Sequence, residues 1–140
     1  MTTLYSTTAT ASAGRNGQVA TDDKKLELNL SYPKEMGGSG EATNPEQLFA
    51  AGYAACFSNA ILHIARETKV KINAAPVSAQ VGIGPNSTGG FALSVSLAVT
   101  LELPAEQAQQ LVTAAHQVCP YSNAVRGNID VQLSVNDQPL

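Results

Sequence analysis

Cys56 and Cys119 are the side chains of this 140-residue chain best equipped for covalent chemistry. As thiolates, they are nucleophiles toward an electrophilic oxygen or another sulfur. A free thiol is only ~3% thiolate at pH 7, so a nucleophilic Cys56 needs its pKa lowered by about two units. Cys56 falls some twelve residues into an expected helix, where the helix dipole no longer acts. A cation must come from elsewhere. Arg66 is ten residues on, about 15 Å along a helix axis. Lys24 and Lys25 fall in a polar turn, while Arg15 and Arg126 fall in loops and are free to reach in. Each cysteine can equally be a small buried hydrophobe, and each loop arginine a solvated charge. Gly52, one turn before Cys56, leaves open space beside the sulfur or else lets a neighbouring element pack closely.

The two histidines, His63 and His116, add little. Cys56 and His63 are separated by about 10.5 Å along one helix, and zinc ligands lie within about 2.3 Å of the metal, so this pair cannot share an ion. A Cys–His acyl hydrolase requires His116 beside Cys56 and an oxyanion hole, which the spacing neither supports nor forbids. There is no Cys-x-x-Cys pair. Gly82-Ile83-Gly84 has no third glycine at the dinucleotide-binding spacing.

Eight basic against eleven acidic side chains, with no Trp, argue against a nucleic-acid partner. Charged residues make up 14% of the chain, against a usual ~25%, which points to an extensive subunit interface. The length fits one domain over residues 1–140. The Thr/Ser/Ala-rich start through Gly14 has no basic, apolar leader pattern. Leu48 to Ala65 is an apolar stretch at the membrane-span threshold. It contains Ser58, Asn59 and His63, and a buried core helix is the better reading than a membrane partner. Two distant cysteines without a leader fit a reducing, cytoplasmic setting.

The elements that must position these residues follow from periodicity. Strands are expected over Leu4–Ala13, around Val19 and over Leu26–Leu30, with a turn at Gly14-Arg15-Asn16-Gly17. Asn44-Pro45-Glu46 starts a helix reaching about Lys69, apolar nearly all round between Leu48 and Ile64. Val77–Ile83 and Phe91–Leu103 alternate as a hairpin. A second helix begins near Pro104, with Ala108, Leu111, Val112, Ala115, Val118 and Cys119 on its apolar face and Pro120 at its end. Ile129–Val135 is a last strand. The class is α+β with mostly antiparallel sheets and two main helices.

Four strings carry a resemblance. They are Gly14-Arg15-Asn16-Gly17; Asn44 to Phe57 (NPEQLFAAGYAACF); Val118-Cys119-Pro120-Tyr121-Ser122-Asn123-Ala124; and Gly127-Asn128. In order, and over nearly the whole chain, they resemble the organic hydroperoxide resistance branch of the Ohr/OsmC family. The resemblance implies a cofactor-free cysteine peroxidase acting in oxidative-stress defence, with an OsmC/Ohr-like fold and an intertwined homodimer. It further implies that Cys56 is the peroxidatic cysteine and Cys119 the resolving one. Arg15 would stabilise the thiolate and Glu46 orient that arginine. Organic hydroperoxides are then the substrates, and a lipoylated protein or other dithiol the reductant. The alternatives are a non-catalytic small-molecule-binding dimer and a Cys–His hydrolase. Glu46 and Cys56 lie ten residues apart in one expected helix, about 15 Å if it is straight. An arginine gripping Glu46 could therefore face the Cys56 of a partner chain.

Overall fold

A computed structural model describes residues 1–140, which divide into two compact units, Met1–Leu48 and Phe49–Leu140. In the first unit, β1 (Ala9–Ala11), β2 (Gln18–Thr21) and β3 (Glu27–Asn29) form an antiparallel sheet in that order. The strands are shorter than the sequence pattern predicts. The residues between β1 and β2 form a single 3-10 turn, Gly14–Asn16. Two glycines make it possible. Gly14 has φ +61°, a left-handed conformation that costs most other residues energy. A Cβ on Gly17 would stand 2.6 Å from the backbone nitrogen of Ala13. Arg15 is thus presented from a turn that only this glycine pair permits.

Helix α1 (Pro45–Glu67) starts as expected. Asn44 accepts a hydrogen bond from the Gln47 backbone N–H at 2.9 Å, Pro45 fills the first helical position, and Glu46 meets the positive end of the dipole. It stops at Glu67 because Lys69 turns left-handed, φ +58°, and Val70 N–H closes back on the Ala65 carbonyl.

The second unit holds most of α1 and a four-stranded sheet, β4 (Val77–Pro85), β5 (Phe91–Val99), β6 (Gln132–Val135) and β7 (Gln138–Pro139), in that order. Between β5 and β6 the chain passes through α2 (Ala105–Val118) and α3 (Pro120–Val125). That crossover makes β5–β6 the one parallel pair. Alternation predicts β5 as far as Leu103, but it ends at Val99. Beyond it, the Asn136 amide both accepts from Leu101 N–H and donates to Leu101 C=O, at 2.9 and 2.8 Å, replacing a strand partner with a side chain. Helix α3 and strand β7, each too short to carry a periodic pattern, are additions to the expected elements.

Tyr53, Phe57, Ile61, Leu97, Val99, Val112 and Cys119 form the fully buried centre of this unit. Two expectations need correction. Val118 is 43% exposed, since the buried stripe of α2 passes from Ala115 to Cys119. Helix α1, apolar nearly all round, buries only the stripe of Tyr53, Phe57, Ala60, Ile61 and Ala65 within this chain. Ala51, Ala55, Asn59 and His63 on another face are exposed. By length and composition α1 could cross a membrane, yet it contributes the largest side chains of the core.

Candidate active site

Proline chemistry sets the position of Cys119. A residue preceding proline is pushed out of the helical region. Cys119, before Pro120, has φ −63° and ψ 123°, and so becomes the single extended residue between α2 and α3. Its N–H still bonds Ala115 C=O and its C=O accepts from Asn123 N–H, both at 2.9 Å. The cysteine is therefore tied into both helices. Its buried thiol is directed at Cys56 on α1, with the two Sγ atoms 3.7 Å apart. Both cysteines are free thiols, Cys119 fully buried and Cys56 partly accessible.

The surroundings of Cys56 are apolar and aromatic. Phe49, Tyr53, Phe57 and Tyr121 pack in edge and tilted contacts, with ring centroids 5.7–6.4 Å apart. The space beside Gly52 is not open, because Tyr121 occupies it. A Cβ on Gly52 would meet the Tyr121 hydroxyl at 2.8 Å. Of the two readings of Gly52, close packing holds. Burial pushes the Cys56 thiol above its ordinary range, and a hydrogen bond from the Tyr121 backbone N–H draws it partly back.

His116 does not bond Cys56. Its Nδ1 lies 2.9 Å from Ser122 Oγ, which lies 2.8 Å from Tyr53 Oη. Burial, and then the charge of Arg126, lower the His116 pKa, so the ring is neutral at pH 7. Burial raises that of Tyr53. Arg126, the other loop arginine, is engaged locally. It donates to the His116 carbonyl at 2.6 Å and to the Asn123 side chain.

In the first unit, Arg15 and Glu46 form a two-pronged ion pair. Nη1 and Nη2 reach the two carboxylate oxygens at 2.7 and 2.6 Å. This fork matches planar guanidinium to planar carboxylate and fixes the arginine's orientation. The Arg15 hydrogen bonds hold the Glu46 carboxyl below its usual range, and Glu46 raises the arginine in turn. The guanidinium carbon also lies 5.9 Å from the Tyr32 ring centroid, a cation–π distance.

The structure thus brings Cys56 to Cys119 and Arg15 to Glu46, as two pairs in two units. Sequence reasoning gave no role to Tyr121, Ser122 or Tyr32. Tyr121 and Ser122 stand in the Cys-Pro-Tyr-Ser string, and the proline there was the available signal that a new helix starts.

The OsmC-like protein family profile matches residues 38–134. An organic hydroperoxide resistance protein of Xanthomonas axonopodis pv. citri is 49% identical over 135 residues, covering 94% of each chain. The crystal structure of the organic hydroperoxide resistance protein OhrB of Bacillus subtilis superposes with a TM-score of 0.86 at 44% identity, covering 95% of this chain and 99% of that one. A Vibrio cholerae structure with captopril bound in one of its active sites gives a TM-score of 0.98 at 76% identity, covering 100% and 97%.

Proposed function

The chain belongs to the OsmC-like protein family, in its organic hydroperoxide resistance branch, and from that membership we propose that it is a thiol peroxidase reducing organic hydroperoxides in oxidative-stress defence. The 3.7 Å approach of two free thiols, Cys56 and Cys119, carries the reading.

The Cys56 thiolate attacks the distal peroxide oxygen. The O–O bond breaks, the alkoxide takes a proton and leaves as alcohol, and Cys56 becomes a sulfenic acid. Cys119, as thiolate, then attacks the Cys56 sulfur. The S–O bond breaks, water leaves after protonation, and a disulfide forms before a second peroxide can react. A dithiol of the lipoyl type returns both sulfurs to thiols by exchange. No cofactor takes part, and the setting is cytoplasmic.

Cys56 needs a positive charge to offset the effect of its burial. An opposite charge within about 4–6 Å lowers a pKa by 1–3 units. Arg15, held by Glu46, is the cation of this reading. Glu46 opens α1, and Cys56 follows ten residues later on the same unbroken helix. We therefore assign the arginine–glutamate pair to the Cys56 of a second copy in a homodimer. The exposed alanines of α1 are compatible with such an interface.

One equivalent of cumene hydroperoxide added to reduced protein tests the function. The expected product has lost two free thiols and two mass units. Protein that keeps both thiols is not this peroxidase.

A further inference from the structure

Three polar side chains near the cysteine pair have no part in the chemistry above. Tyr53 and Ser122 are fully buried, and each is costly to bury without a partner. Tyr53 Oη, Ser122 Oγ and His116 Nδ1 satisfy one another in a chain of 2.8 and 2.9 Å contacts. In one arrangement that fits both contacts, Tyr53 donates to Ser122 and Ser122 donates to Nδ1 of the neutral His116 ring.

Their positions are not arbitrary. Tyr53 precedes Cys56 on α1 by three residues, His116 precedes Cys119 on α2 by three, and Ser122 follows Cys119 on α3 by three. Each is thus about one helical turn from a cysteine, on a different helix. Cys119 is the one extended residue joining α2 to α3, so the angle between those helices decides where its sulfur points. Ser122 ties that elbow from inside to both α1 and α2. Arg126 ties it from outside, through the His116 carbonyl and the Asn123 side chain.

Resting on the peroxidase reading, we propose that Ser122, with Tyr53 and His116, is a positioning device that holds Cys119 within attacking distance of the Cys56 sulfenic acid. Closing the disulfide is unimolecular, whereas over-oxidation of Cys56 to sulfinic acid needs a second hydroperoxide. The race between them depends on how well Cys119 is pre-placed, and loss of a near-attack geometry slows only the first. Attack of hydroperoxide on Cys56 does not use Cys119 as a reactant, and Cys119 touches that step only through its contact with the Cys56 thiol.

The test is Ser122→Ala, with Ser122→Thr as the variant that keeps the hydroxyl. Reduced protein is titrated with cumene hydroperoxide, and mass spectrometry reads disulfide (two mass units lost) against sulfinic acid (two oxygens gained). The first equivalent should be consumed within about twofold of the wild-type rate, while the hydroperoxide concentration giving half over-oxidation falls about tenfold. Ser122→Thr should recover most of that loss. Should Ser122→Ala not fold, Tyr53→Phe, which keeps the ring and removes only the hydroxyl, is read in the same way. A purely structural role lowers stability without moving the product ratio. An unchanged ratio in a folded variant, with disulfide forming in wild type, overturns the positioning role alone. A wild-type chain that forms no disulfide overturns the peroxidase reading instead.

Discussion

The hydroxyl of Tyr121 stands 2.8 Å from where a Gly52 side chain would begin, so the tyrosine ring is seated in a notch on α1 one turn before Cys56. Gly52→Ala sets two effects against each other. Alanine gains up to about 1 kcal/mol of helix propensity over glycine. The new methyl also displaces the far end of Tyr121, a side chain 39% exposed and able to move. The expected outcome is a folded protein with stability changed by less than about 1 kcal/mol and a slower reaction with bulky hydroperoxides. Adding Tyr121→Phe, which removes the colliding oxygen, should return part of the rate. Stopped-flow rates of the two variants decide it.

Cys56→Ser should abolish hydroperoxide turnover, because a hydroxyl forms no sulfenic acid. Cys119→Ser should still consume one equivalent and then stall as sulfenic or sulfinic acid, which a sulfenic-acid trapping reagent reveals. Wild-type cycling of Cys119→Ser with a dithiol would remove Cys119 from the resolving role.

Mixed dimers test the shared site. Chains carrying Cys56→Ser are combined with chains carrying Glu46→Ala, each inactive or weak alone. If the pair acts on the partner's cysteine, the Cys56→Ser chain lends its Arg15–Glu46 pair to the other chain's Cys56, and one site of two recovers. Confirmed mixed dimers with no recovery would place Glu46 in service of its own chain.

Arg15 depresses the Glu46 pKa, so near pH 4 the folded chain binds fewer protons than the unfolded one. The stability from this pair is complete above the ordinary carboxylate range and is lost as pH falls through the depressed value. Its size for a pair in partial contact with solvent is about 0.2–1 kcal/mol. Urea unfolding should find Glu46→Gln less stable than wild type at pH 7, the gap shrinking toward pH 3. A gap that grows on acidification contradicts the sign.

Cumene hydroperoxide should react faster with Cys56 than hydrogen peroxide does. Phe49 and Tyr121, the two rings of the aromatic cluster that solvent reaches, provide apolar surface for an alkyl or aryl group. Comparable second-order rates would count against a substrate pocket there.

Elements with strong periodicity were legible from the residues. The Asn44-Pro45-Glu46 start of α1, the β4–β5 alternation and the α2 face through Ala115 all follow from local chemistry. What failed was decided by distant partners. Nothing in Phe91–Leu103 announces that Asn136 will replace a strand beside Leu101. An all-apolar α1 does not disclose which face its own chain covers. At the candidate site, residue type alone singled out Cys56 and Cys119 and left Arg15 as one of several cations, while the role expected of each, and Glu46 as more than a helix start, came through strings shared with a family. Ser122 was not found. A serine reads as a surface residue, and its role exists only where three helices converge on one hydroxyl.

The unequal exposure of the two cysteines gives the return half of the proposed cycle a direction. Cys119 is sealed at 0% accessibility, while Cys56 is open in part. A dithiol donor of the proposed kind, as bulky as a protein-borne lipoyl group, would reach Cys56 and not Cys119. In the proposed cycle the donor would then form its mixed disulfide at Cys56 and expel Cys119 as the leaving group, so that the sulfur meeting the oxidant would also meet the reductant.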